Sequence, residues 1–315
     1  MPELPDIEVY LEALRRRVIG HRLTRIRIRG PGLVRTVDPA PDQCEGRRVV
    51  STARQGKKVV IELDDELYLA IHLMVAGRLL WADHESGGQP PRGGPSRIEQ
   101  ARFLFESGTL VLTEAGSITR ASLHLVRGRE SLAALDPGGV DPLTCTPEHF
   151  GEILAAERRT LKRVLTDPTV VSGIGNSYSD EILWEAGLSP VARAPSLGPD
   201  RREGLRRAMV ATLTTWKLRL MGEFDLLGDG RGRFPGPREI TAFRPDFGVH
   251  GRFGKPCPRC GAGVQRIVRA ENEVNYCPRC QTDGRVLADR SLSRLLGKDW
   301  PRTVEEWEER PRPSG

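Results

Sequence analysis

The sequence predicts an α+β chain built in successive blocks, and three observations predict it. After a first helical stretch, strand-type runs separated by turn residues dominate to about residue 126. From about residue 150 to 221 apolar residues recur at helical spacing, and two Cys-x-x-Cys pairs follow at 257–280. Strands first, helices after and a metal-type knuckle last belong to segregated layers, not to alternating βαβ units.

The first element is a helix. Ile7, Leu11, Leu14 and Val18 share one helical face, Pro5 and Asp6 suit its first turn, and Gly20 suits its stop. Ile26 and Ile28 then alternate with Arg25, Arg27 and Arg29. Further strand runs lie at 59–61, 67–73, 103–105 and 110–112. Short strands at this spacing suit a sandwich or a barrel. Residues 84–97, rich in Gly and Pro, read as a long loop, and Asp136-Pro137-Gly138-Gly139 marks a boundary. Helices are expected over 150–156, 160–165, 178–186 and 201–221, with a Gly/Pro/Arg-rich loop at 228–238. Leu292, Leu295 and Leu296 suggest one more short helix before an acidic end, with fraying from Pro311 onward. The domain expectation is therefore 1–135, 136–249, a cysteine module at 250–283 and a C-terminal extension at 284–315.

Bulk composition narrows the function classes. Hydrophobic residues at 38% and charged residues at 29% suit a chain that buries a core in water. Lys+Arg 48 against Asp+Glu 42 leaves +6, which favours a polyanionic partner. No apolar run of membrane-spanning length and no signal-type segment occurs, so no membrane association and a cytosolic location are expected. Of the six cysteines, Cys44 and Cys145 read as ordinary buried thiols. Cys257-Pro-Arg-Cys260 and Cys277-Pro-Arg-Cys280 stand sixteen residues apart and match a closed four-thiolate zinc site. One structural Zn2+ per chain is expected, leaving no open position for chemistry. Arg259, Arg266, Arg269 and Arg279 suit a phosphate-facing surface on that module.

Two further stretches admit two readings each. In Met1-Pro2-Glu3-Leu4-Pro5-Asp6-Ile7-Glu8, removal of Met1 would expose the Pro2 secondary amine beside the Glu3 carboxyl, ahead of a helix whose dipole disfavours the ammonium form. Such an amine attacks electrophilic carbon through iminium intermediates. Equally, these residues could only stiffen and cap the helix. If Met1 stays, the Pro2 nitrogen is an amide and the first reading fails. In Ser172-Gly173-Ile174-Gly175-Asn176, a glycine turn feeding a helix presents N–H groups to a phosphate, with Lys162 adding charge, or is an ordinary helix start.

Taken jointly, these residues resemble the formamidopyrimidine-DNA glycosylase/endonuclease VIII family across roughly residues 1–281. The matching segments are Pro-Glu-Leu-Pro-Asp-Ile-Glu at 2–8, Lys57-Lys58 before a strand, and Ile71-His72-Leu73. Gly-Ile-Gly-Asn-Ser-Tyr from Gly173, His250-Gly251-Arg252, and the finger closing on Gln281 complete the set. The resemblance implies a β-sandwich with an N-terminal catalytic helix, then a helix–two-turn–helix domain and a zinc finger, with DNA between the domains. It implies a monomeric base-excision repair enzyme, a DNA glycosylase and abasic-site lyase. This enzyme acts on double-stranded DNA carrying oxidised or ring-opened bases or abasic sites, at the nucleoid if bacterial. Pro2 would form a Schiff base with C1′, Glu3 would protonate the ring oxygen, and β,δ-elimination would cut the strand. Lys57 matches the lysine beside the lesion, with Lys58 as the competing candidate. Asp6 and Glu8 match supporting carboxylates. The DNA-contacting positions would be His72, Arg120, Lys162, Gly173, Gly175 and Asn176.

Departures from the family are informative. Where the formamidopyrimidine enzymes carry a loop that fills the gap left by the flipped base, this chain has Glu114-Ala115-Gly116-Ser117-Ile118-Thr119-Arg120. Met74 and Val75 could wedge into the stack instead, or Met74 could be a buried strand end. At the finger tip Glu271-Asn272 replaces the family's glycine-arginine pair, leaving Asn272 as the contact there. Two other classes compete. A protein of this fold that binds damage or abasic sites without cutting would form no borohydride-trapped adduct. A zinc-ribbon scaffold or transcription factor would bind intact and damaged duplex equally.

Overall fold

The computed structural model describes residues 1–84, 97–116, 118–269 and 272–308. Most of the loop expected at 84–97, Ser117, Glu271 and the chain from 309 onward lie outside the described residues. The chain divides into two compact units, Met1–Gly138 with Thr214–Ala242, and Gly139–Leu213 with Phe243–Gly315. Residues 214–242 therefore pack with the first unit, although the sequence pattern groups them with the helical segment 136–249. The reason is burial: Leu220, Phe224, Leu226 and Ile240 are sealed in the first unit's core.

The first unit opens with α1 (Leu4–Val18) and β1 (Leu23–Ile28), followed by the short α2 (Pro41–Cys44). Then come β2 (Val49–Gln55), β3 (Lys58–Leu63), β4 (Leu67–His72) and β5 (Gly77–Asp83). β6 (Glu99–Phe105), β7 (Gly108–Glu114), β8 (Ser122–Arg127) and α3 (Arg129–Ala133) complete it. The strands form two antiparallel four-stranded sheets, ordered β1-β6-β7-β5 and β2-β3-β4-β8. One apolar core draws on both sheets and α1, which makes the unit a sandwich rather than a closed barrel. The expected stripe of α1 is buried, but so are Leu4, Val9, Tyr10 and Ala13, so the helix is covered on more than one side. Each such Leu or Ile contributes roughly 1.5–3 kcal/mol through burial, which pins α1 within the unit. The strands β2, β5 and β8 escape individual prediction because Arg, Ser and His dilute their apolar residues, and pairing with neighbours defines them.

The second unit carries α4 (Pro147–Ala156), α5 (Leu161–Thr166), α6 (Asn176–Glu185) and the first part of α7 (Pro199–Glu223). Thr146 caps α4 by accepting from the His149 N–H at 3.3 Å. A hairpin of β9 (Gln265–Arg269) and β10 (Asn272–Tyr276) follows, then α8 (Pro278–Gln281), α9 (Arg290–Leu296) and α10 (Val304–Glu308). The short helix expected from the late leucines is α9, although Leu295 is exposed and serves no core there. No helix among the described residues is long and apolar enough to cross a membrane.

Candidate functional site

In the first unit the chain start is a buried, charged place. Pro2, Glu3 and Asp6 are all buried, and the Asp6 carboxylate accepts from the Glu3 N–H at 2.9 Å. This capping bond ties the Glu3 backbone to the first turn of α1. Burial pushes the terminal amine, on Met1, below its ordinary value; Glu3 opposes this, Arg78 assists, Asp6 opposes and Lys57 assists. Both carboxylates, Arg78 and Lys57 thus all act on the amine, and Glu3 acts on Lys57 as well. Asp6 is engaged as a cap, and Glu8 pairs with Arg54 of β2 at 2.8 Å, so both expected supporting carboxylates serve the helix frame.

The two adjacent lysines separate clearly. Lys58 donates from Nζ to the Leu135 carbonyl at 2.5 Å. Lys57, in the turn before β3, has its ammonium pushed down by burial while Glu3 pulls it back up. Lys57 is therefore the lysine that senses the chain start. Across the sheet Lys58 pairs with His72, the last residue of β4. His72 Nδ1 accepts from the Met74 N–H at 3.1 Å, so the ring is neutral and carries its proton on Nε2. Burial first, then Lys58, Lys57 and His124, lower its pKa to about 4.

Beyond His72 the chain turns sharply through residues 73–77. Met74 adopts φ +52°, a strained value for a side-chain-bearing residue, and Val75 is 59% exposed at the tip. Gly77 closes the turn on the Leu73 carbonyl at 2.9 Å, and a Cβ there would meet that oxygen at 2.2 Å. Such a turn holds an apolar tip outward in one conformation. Gly77 pairs with Glu114, which brings the following loop alongside. The buried Glu114 carboxylate accepts from the N–H groups of Arg120 at 2.8 Å and Ala121 at 3.1 Å, and so cinches that loop. The Arg120 side chain is exposed beside it. Arg78 and Glu114 carry no sequence motif and emerge only from this pairing.

In the second unit Asp180 of α6 is a junction. Its Oδ1 meets Lys162 Nζ at 2.5 Å, while its Oδ2 meets His250 Nδ1 at 2.8 Å and the Asn275 N–H at 3.1 Å. Lys162 also donates to the Asn176 carbonyl at 2.7 Å and is only 8% exposed. Lys162, expected to grip phosphate, is instead a buried brace for the turn. Gly173, at φ +80°, and Gly175, the cap residue of α6, are buried in that turn, and the Asn176 amide donates to the Glu273 carbonyl at 2.8 Å. The adjoining Glu181 carboxylate accepts from the N–H groups of Gly248, Val249 and His250. Burial raises its pKa, and those three donors oppose the rise.

The four cysteines come together as expected. Their Sγ atoms all lie within 4.8 Å, with Cys260 to Cys277 at 3.4 Å and Cys257 to Cys280 at 4.0 Å. Tetrahedral zinc with bonds of about 2.3 Å requires sulfur separations of about 3.8 Å, so the cage fits the ion. It is a structural zinc site. The expected basic surface is partly spent: Arg259 lies over Trp184 and pairs with Glu185, and Arg266 lies over Phe253 and pairs with Glu273. Of Asn272 only its place at the start of β10 is described.

Comparison with known proteins agrees with this geometry. Residues 1–116 match the formamidopyrimidine-DNA glycosylase N-terminal domain, 139–216 its H2TH domain, and 254–282 a zinc finger found in FPG and IleRS. A formamidopyrimidine-DNA glycosylase of Roseiflexus sp. (strain RS-1) is 32% identical over 293 residues, covering 89% of this chain and all of that protein. The protein of that name from Chloroflexus aurantiacus is 32% identical over 289 residues, covering 89% and 98%. Among solved structures, Lactococcus lactis Fpg in complex with abasic-site DNA superposes with a TM-score of 0.75. Its identity is 23%, over 89% of this chain and 99% of that one.

Proposed function

The chain belongs to the formamidopyrimidine-DNA glycosylase family, and we propose on that premise that it is a base-excision repair glycosylase with abasic-site lyase activity on damaged double-stranded DNA. The observation that carries the reading is the chain start, where buried Pro2 and Glu3 stand together at the head of α1, the Glu3 backbone fixed by Asp6. With Met1 removed, the Pro2 nitrogen becomes the amine at that place, and burial beside two cations favours its uncharged form.

The reaction requires the damaged nucleotide to leave the stack. The Pro2 nitrogen then bonds to C1′ as the glycosidic bond breaks, and the base departs with the electron pair and takes up a proton. Glu3 donates a proton to the ring oxygen, the sugar opens, and an iminium joins Pro2 to C1′. The iminium acidifies C2′; loss of that proton expels the 3′ phosphate, and a second elimination expels the 5′ phosphate. Lys57 and the His72 Nε2–H donate to phosphate oxygens beside the lesion. Met74 and Val75, on their strained turn, are the wedge for the vacated stack, with Arg120 on the neighbouring loop. In the second unit Asn176 and the glycine turn contact the backbone.

Borohydride trapping tests the proposal. Protein of verified mass lacking Met1 is incubated with abasic and 8-oxoguanine duplexes and reduced. A covalent adduct is expected, with Pro2→Gly impaired and Glu3→Gln deficient in base release. Retention of Met1, or no adduct on any damaged duplex, would overturn it.

A further inference from the structure

The zinc-finger match ends at residue 282, and the Roseiflexus relative is spanned in full by 89% of this chain, yet residues 283–308 are packed onto the finger. Val304 is fully buried in one apolar cluster with Cys257, Cys277, Val249, Ala262 and Val264. Its N–H donates to the Gly284 carbonyl at 2.8 Å, and Val286 donates to Arg302 at 2.9 Å, so the extension doubles back on itself beneath the cage. Trp307 meets Phe253 edge-on at 6.1 Å, and the Arg266 guanidinium lies over the same Phe253 ring at 4.3 Å.

Two further bonds reach the hairpin itself. The Tyr276 hydroxyl, on a wholly buried side chain of β10, accepts from the Leu287 N–H at 2.7 Å. The carboxylate of Asp289, itself 1% exposed, accepts from the Val268 N–H at 2.5 Å. A two-stranded hairpin has only edges, and Asp289 occupies an edge donor of β9. A finger with so small a core ordinarily takes its folding energy from the metal. Here apolar contacts and strand-edge bonds from outside the finger supply a share.

We propose that residues 283–308 are a second clasp on the zinc finger, holding the β9–β10 hairpin in its folded form together with the metal and slowing the metal's loss. The clasp acts on both ends of the hairpin: Val304 under the thiolates, Asp289 and Leu287 on the strands. The partners of this segment lie in the finger, so its local sequence pattern shows only one short helix.

Full-length zinc-loaded protein and its Val304→Asp, Asp289→Ala and Tyr276→Phe variants are compared by zinc release to a chromophoric chelator and by amide exchange across 264–269. The clasp predicts zinc release roughly 10-fold faster in Val304→Asp, the range seen when groups supporting metal ligands are lost. Smaller accelerations are expected in the other two, which leave the core intact. In zinc-stripped parent protein the hairpin amides remain protected, and Asp289→Ala removes that protection. Leu295→Ser, on an exposed site of the same extension, is expected to behave as the parent. Equal release rates in all variants, a stripped parent hairpin exchanging as unfolded chain, or a Leu295→Ser effect as large as the rest would each overturn the clasp. These readouts do not involve DNA, so their failure leaves the glycosylase reading standing, and the reverse holds.

Discussion

The Asp6 carboxylate, three residues into the chain's first helix from Glu3, holds the Glu3 N–H at 2.9 Å while both side chains are sealed from water. One carboxylate thereby sets the backbone from which the other acts. Asp6→Ala leaves a buried N–H without that acceptor, at a cost of about 1–2 kcal/mol. Because Glu3 loses its anchor, base release is expected to slow more than DNA binding weakens. Urea unfolding and single-turnover nicking measure the two effects, and a normal rate in a destabilised variant would show that Glu3 does not need the cap.

Lys57 and Lys58 are expected to part company. Lys57→Ala removes the ammonium beside Glu3 and should reduce strand cutting by roughly 100-fold, the lower range for a positioned proton-transfer or charge-stabilising group. Lys58→Ala loses one bond to Leu135, about 1 kcal/mol of stability, with cutting unchanged. Equal losses of activity in both variants would refute the assignment.

His72 gives a pH signature. Its folded pKa near 4 lies below the ordinary value of 6.5, so between these values the unfolded chain binds a proton that the folded chain does not. Its contribution is fully present above pH 6.5 and is lost as pH falls towards 4, to a limit of about 3 kcal/mol. The fall in stability from pH 7 to 4.5 should therefore be shallower in His72→Gln than in the parent. Parallel curves in denaturant titrations at the two pH values would count against a neutral His72.

Asp180 and Lys162 form a buried pair, so removal of one partner is costly. Asp180→Ala strands the Lys162 ammonium and should cost about 3–5 kcal/mol. Asp180→Leu with Lys162→Met removes both charges and should cost less than the two single changes summed, which a double-mutant cycle on unfolding midpoints measures. Strict additivity would mean that Asp180 and Lys162 are not energetically coupled.

Much of the site could be read from local pattern. The α1 face, the four cysteines and the glycine turn are contiguous motifs, because helix period, knuckle spacing and positive φ are set by residues a few positions apart. Lys162 shows where this stops. A lysine upstream of a phosphate-type turn looks available, but its ammonium is claimed by Asp180, eighteen residues on. Arg259 of the finger is held in a similar way, over Trp184 and against Glu185 of α6.

By itself the sequence determined the α+β blocks, the helix that begins behind Pro2-Glu3 and the zinc ligands, since each depends on short-range geometry and side-chain chemistry alone. Only the tertiary structure decided which lysine faces Glu3, that Glu114 cinches its loop, that His250 and Asn275 meet Asp180 across 70 and 95 residues, and that the extension closes on the finger. Those outcomes turn on which partner first satisfies a buried charge or N–H. That choice is made by packing between distant segments, and no local pattern records it.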